Sequence, residues 1–144
     1  MQRMVPLLLL ASCAWSIKIP NGFAKLEDNH RFEFYAASPD GCYVAISEFE
    51  GAEGADLKFW VQCVTRQLTQ IRGYKLLQTK DFSTNDGREG KTLLFLATIN
   101  SARFLYCITL VMDGEDVICL EATGPEDAMK RRLDDILAAF RTLS

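Results

Sequence analysis

Five cysteines and one histidine are the side chains of this 144-residue chain best suited to nucleophilic, acid–base or modification chemistry near neutral pH. Cys13 stands apart by its setting. Arg3 precedes a mostly apolar run over residues 4–11, and small residues close it at Ala11 and Ser12. A basic residue, a short apolar run and small residues, in that order, are the layout of a secretory signal peptide. The run is too short to cross a bilayer as a helix, which takes roughly 20 apolar residues.

His30 lies among Asp28, Asn29 and Arg31, where a surface role is the default. A Cys-His or Ser-His-Asp device would have to use it, because the chain has no second imidazole. No spacing places a thiol beside it. Asp134 and Asp135 are neighbours on a predicted helix, so they do not face one substrate. Glu48 and Glu50 share a strand face, as acids on a solvated strand commonly do. No Gly-rich phosphate loop, metal cluster or calcium-loop pattern appears. The chain is therefore expected to need no cofactor and no metal, and not to be an enzyme.

Cys42, Cys63, Cys107 and Cys119 sit inside apolar patterns without metal or C-x-x-C spacing. Cysteine often serves as a small apolar filler, but an oxidising compartment would permit disulfides. Strand register bears on that choice. If Asp113-Gly114 is a two-residue turn, Met112 faces Glu115, Cys107 faces Leu120 and Cys119 faces Ile108. Alternation then points the thiols of Cys107 and Cys119 to opposite faces, which forbids a bridge unless a bulge intervenes.

The elements that position these residues follow from periodicity. Residues 32–35 and 42–47 alternate around Ser38-Pro39-Asp40-Gly41 and predict a β-hairpin. Residues 56–72 predict a helix with Leu57, Trp60, Val61, Val64, Leu68 and Ile71 on one stripe, stopped by Gly73. Phe59 and Cys63 lie off that stripe, and a loop or the N-terminal segment is expected to cover Phe59. Residues 74–82, 91–99, 104–112 and 116–122 predict a four-strand meander, apolar enough for burial on both faces. The last helix starts with either a Thr123–Glu126 capping box or a Gly124 cap with Pro125 at its first position. Its basic run, Lys130-Arg131-Arg132, is expected to be a solvated face.

The net charge is −3 and becomes more negative if Arg3 leaves with a signal, so a nucleic-acid partner is not expected. A mature chain of about 130 residues implies one domain with an independent core. The fold class is α+β, an antiparallel sheet of about six strands with two main helices packed on it.

Leu10-Ala11-Ser12-Cys13 resembles the signal of bacterial lipoproteins: an aliphatic residue, two small residues and a cysteine. The resemblance implies removal of residues 1–12, diacylglycerol on the Cys13 sulfur and acylation of the new N-terminus, with palmitate a typical acyl group. Several acyl chains hold a protein to a bilayer stably where one does so marginally. Residues 13–21 would then be a lipidated N-terminus and tether, and 22–144 a single domain. Ala14 after the cysteine, by the same resemblance, favours the outer over the inner membrane, with the domain facing the periplasm. The alternative is an ordinary cut after Ser16, between small residues, which would release a soluble secreted protein.

The element order hairpin, helix, meander, helix resembles the PsbP-like α/β/α sandwich over residues 22–143, including Gly73-Tyr74 after the first helix. That family includes the PsbP proteins of photosynthetic membranes, the Mog proteins and many bacterial lipoproteins. The resemblance implies a non-catalytic binding or assembly module, here for an unidentified envelope protein complex, and assigns no site residue. A carrier of a small or lipidic ligand is the alternative.

Overall fold

The computed structural model describes residues 15–27 and 31–144. Seven strands build one antiparallel sheet: β1 (Ala24–Lys25), β2 (Phe34–Ala37), β3 (Tyr43–Phe49), β4 (Lys75–Ser83), β5 (Glu89–Ile99), β6 (Ala102–Asp113) and β7 (Asp116–Pro125). Their spatial order is β1-β2-β3-β7-β6-β5-β4. Helix α1 (Leu57–Arg66) connects β3 to β4, and α2 (Glu126–Phe140) follows β7. The expected sheet thus gains a seventh, two-residue strand, β1, which pairs Ala24 with Ala37 at one edge.

The central strands bury both faces, as their unbroken apolar runs predict. On one face Val44, Ile46, Leu105, Cys107, Leu120 and Ala122 pack beneath Met129, Ile136 and Phe140 of α2. On the other, Leu93, Phe95, Ile108, Leu110, Val117 and Cys119 pack beneath α1. Strand β4 departs from this pattern. Its residues from Lys75 to Asp81 are all exposed, Leu76 and Leu77 among them. It is the outermost strand, and its register slips between Leu76 and Gln78, a bulge of the kind that edge strands often carry.

Two turns set the meander's register. Asn100 and Ser101 both have positive φ, at 52° and 69°, and join Ile99 to its partner Ala102; this is the type I′ geometry that suits strand twist. At the next turn the expected register is corrected. Gly114 and Glu115 occupy the turn, Asp113 pairs with Asp116, and Met112 faces Val117. Gly114, at φ +63°, takes the left-handed position instead of Asp113. Cys107 therefore faces Ala122, and Cys119 faces Leu110.

Helix α1 starts at Asp56, whose carboxylate accepts from the Phe59 amide at 2.9 Å. Its expected stripe continues only to Leu68. Residues Gln67–Ile71 form a wider π-turn, in which the Arg72 amide donates to the Gln67 carbonyl. Thr69 adds a hydroxyl bond back to the Thr65 carbonyl at 2.7 Å. The change of pitch swings Ile71 out, to 70 % exposure.

The start of α2 corrects both expected caps. Pro125 is the cap residue and no side chain caps the helix. The β6–β7 ladder runs as far as Phe104–Pro125 and draws Thr123 into the sheet, where its hydroxyl donates to the Leu105 carbonyl. Gly124 lets β7 pass close to the hairpin, since a Cβ there would lie 2.7 Å from the Cys42 sulfur. The basic run is only partly solvated. Arg132 donates to both Asp40 oxygens at 2.9 and 3.0 Å, and its guanidinium lies 5.5 Å from the centre of the Phe23 ring. Arg131 adds a 3.3 Å contact to the same carboxylate.

Residues 15–20, part of the expected tether, are docked on the domain. Ser16 and Ser144 exchange two backbone hydrogen bonds, at 3.0 and 3.1 Å, and Ile17 is buried in the α2-side core. The Trp15 amide donates to Glu33 at 2.9 Å, and the Arg88 guanidinium lies 4.9 Å from the centre of a Trp15 ring.

Hydrogen bonds from Ser38 and Arg132 hold the Asp40 carboxyl at about 2, against an ordinary 3.8. A two-pronged Arg103 contact, at 2.8 and 3.0 Å, holds Glu126 at about 2, against 4.5. Both folded values are depressed, so their contribution to stability is present above about pH 4.5 and is lost as pH falls towards 2. The thermal midpoint should drop over that window, and in the double variant Asp40→Asn, Glu126→Gln the drop should be shallower. Circular-dichroism melts between pH 5 and pH 2.5 measure it.

Candidate functional site

Helix α1 packs on β5 and β6. On the same face, α1 reaches the Phe49 end of β3 and the Val117–Cys119 part of β7, but no described helix covers β2 or the stretches around Tyr43 to Ala45 and Glu121 to Thr123. Pairing places the side chains of this face in two rows across the strands. One row is Tyr35, Ala45, Glu121 and Ile108; the other is Tyr43, Thr123 and Tyr106. Ala45 and Thr123 are small, and each lies between larger neighbours. The result is a slot of about 230 Å³, lined by Phe32, Tyr35, Tyr43, Ala45, Tyr106 and residues 121–123.

One wall is a stack of rings. Phe32 and Tyr35 have centroids 5.5 Å apart with planes 10° from parallel; Tyr35 and Tyr43 are 5.8 Å apart at 15°. Tyr106 forms the opposite wall and is held edge-on by Tyr74 at 6.1 Å. The Tyr106 hydroxyl donates to Glu121 Oε1. Burial and the Glu121 charge push the phenol above its ordinary 10, so it remains a protonated donor at neutral pH. Burial, with Tyr43 beside it, also raises Tyr35. No Lys or Arg among the described residues pairs with Glu121.

The slot's volume decides what it can hold. It lies below the range of about 300–1,000 Å³ usual for small-molecule pockets, so it suits one side chain or one head group. Its aromatic lining favours planar or cationic groups, and Glu121 can accept hydrogen bonds.

Cys13 and His30 lie outside the described residues. Cys42, Cys107 and Cys119 are buried and unbridged. Cys107 is on the α2 side of the sheet and Cys119 on the α1 side, the opposite faces that alternation requires. Burial pushes Cys107 up to about 12, and burial with Glu121 nearby pushes Cys119 up as well. Cys42 is raised too, chiefly by burial. Such thiols are poor nucleophiles, because the thiolate is the reactive form. Cys63, off the apolar stripe, is exposed on the outer side of α1. Phe59 is also uncovered by any described segment, at 45 % exposure, and packs edge-on against Trp60. Among the described residues no group of three His, Cys, Asp or Glu side chains could hold a metal. Nor is any described helix long and apolar enough to cross a membrane.

Tyr35, Tyr43, Tyr106 and Glu121 escape a reading of the sequence as functional residues. The only local signal is that Tyr35 and Tyr43 share the face of the hairpin opposite Phe34 and Val44.

The chain resembles LpqN of Mycobacterium tuberculosis, described as involved in cell envelope biogenesis, with a TM-score of 0.71 at 13 % identity over 90 % of this chain and 82 % of that one. It also resembles the cyanobacterial PsbP of Synechocystis, with a TM-score of 0.65 at 11 % identity over 91 % and 86 % of the two chains. The fold is PsbP-like. A Pseudomonas aeruginosa protein of unknown function shares it more distantly, with a TM-score of 0.53 at 14 % identity over 90 % and 82 %. No protein-family model matches the chain, and no curated protein matches it by sequence. At these identities the PsbP-like likeness is one of fold, and the aromatic slot is read from this chain's own residues.

In a Cys13→Ser variant, native protein should expose one fast-reacting thiol to dithiobis(nitrobenzoate), namely Cys63. Cys42, Cys107 and Cys119 should react only after denaturation. Adding Cys63→Ser should abolish the fast phase.

Proposed function

We propose that this chain is a membrane-anchored lipoprotein outside the cytoplasm, whose domain is a non-catalytic binding or assembly module for an envelope protein complex. The observation that carries this reading is Leu10-Ala11-Ser12-Cys13 set directly before a docked segment. A cut after Ser16 would sever Trp15 and Ser16 from their hydrogen bonds to Glu33 and Ser144. A cut before Cys13 preserves both, so the docking supports lipidation over simple secretion. The likeness to LpqN, described as involved in cell envelope biogenesis, supports the envelope setting. The raised thiols and the open aromatic slot support binding over catalysis. The slot's 230 Å³ counts against a carrier of whole lipids.

Two residues of chain reach at most about 7 Å. An acylated Cys13 would therefore hold the Trp15 end of the domain against the membrane surface, outer by the Ala14 resemblance. Cells grown with alkyne-tagged palmitate should yield a labelled, membrane-bound protein. Cys13→Ser should remove the label and release the protein to the soluble fraction. Unlabelled, freely soluble wild-type protein would overturn the anchoring.

A further inference from the structure

We infer that the aromatic slot is a receptor for a guanidinium group, an arginine side chain presented by a protein partner. This rests on the binding-module reading and names the chemistry that the module recognises. Glu121 stands at the floor of the slot, partly buried, with Tyr106 as its hydrogen-bond donor and no described cation beside it. A carboxylate withdrawn from water gains most from a positive partner that also donates hydrogen bonds. Across from it the Tyr35 and Tyr43 rings lie nearly parallel, and Tyr43 is 43 % exposed. Ring faces attract cations, and a planar guanidinium stacks on them where an ammonium does not. At the slot's rim the Arg31 guanidinium lies 5.8 Å from the centre of the Phe32 ring.

Size and access narrow the occupant. A space of about 230 Å³ open at the sheet surface admits one long side chain and not a folded segment. The floor is wide enough only because Ala45 and Thr123 are small. The partner's arginine would thus be a central anchor, of the kind that dominates many interfaces. The remaining contacts would lie on the open faces of β2 and β3.

The test is a nuclear magnetic resonance titration of the full chain with a blocked Gly-Arg-Gly peptide, and with the same peptide carrying citrulline, its neutral isostere, or lysine. The arginine peptide should shift the resonances of Tyr43, Tyr106 and Glu121 in a saturable way. Citrulline should leave them unmoved, and lysine should bind more weakly than arginine. Glu121→Gln should weaken the arginine peptide by about tenfold, as loss of a charge-assisted contact does. Tyr43→Ala, a change at an exposed ring, should weaken it as well and guards against misfolding of the Glu121 variant. Equal shifts with citrulline, lysine binding at least as tightly as arginine, or no shift in the slot would each overturn the receptor. None of those results would touch the palmitate label, so this inference and the anchoring reading fail separately.

Discussion

A single sheet has two faces, and the described residues place one helix on each. Helix α2 is 15 residues long and buries five of them fully, while α1 is 10 residues long and buries none fully. A helix is about 10 Å wide, roughly two strand spacings. One helix therefore cannot shield seven strands. On the α2 side the N-terminal segment makes up part of the deficit, with Ile17 and Trp15 extending the core beside Leu143. On the α1 side no described segment does the same for β2 and for the parts of β3 and β7 around Ala45 and Thr123. The aromatic slot is the consequence. Three stacked rings provide partial self-shielding there, and they leave a gap where Ala45 and Thr123 intervene.

Polar contacts refine this arrangement at its periphery. Asp40, at the hairpin turn, gathers Ser38, Arg131 and Arg132, and so ties that turn to α2. Arg103 and Glu126 tie the start of α2 to β6. Exposed ion pairs are individually weak, so apolar burial sets where the helix lies and these contacts orient it. Helix α1 makes no ion pair with the sheet among the described residues, and a π-turn interrupts its end. It is the more loosely held of the two layers, with Phe59, Cys63 and Ile71 facing outward.

The cysteines show which sequence inferences survive an error in register. The turn after β6 is displaced by one residue, and every β6–β7 pair moves by two positions relative to the count from Asp113-Gly114. A two-residue slip preserves the face on which each side chain lies. Cys107 and Cys119 are accordingly on opposite sides of the sheet although both of their expected neighbours were wrong. Facing was determined by parity, whereas neighbours depended on which residue tolerates a positive φ.

Local physics therefore accounts for what was legible in the sequence. The hairpin around Pro39 and Gly41, the stop at Gly73 and the two-sided burial of β6 and β7 each follow from short-range periodicity or turn chemistry. Only the tertiary structure made β4 an exposed edge, drew Thr123 and Gly124 into a strand instead of a cap, and set Arg132 on Asp40. The slot belongs to that second class. Its Tyr35, Tyr43, Tyr106 and Glu121 come from four strands, and they meet because β3 pairs with β7 across some seventy residues. A contact of that separation depends on which strands find each other, and no local pattern encodes that choice.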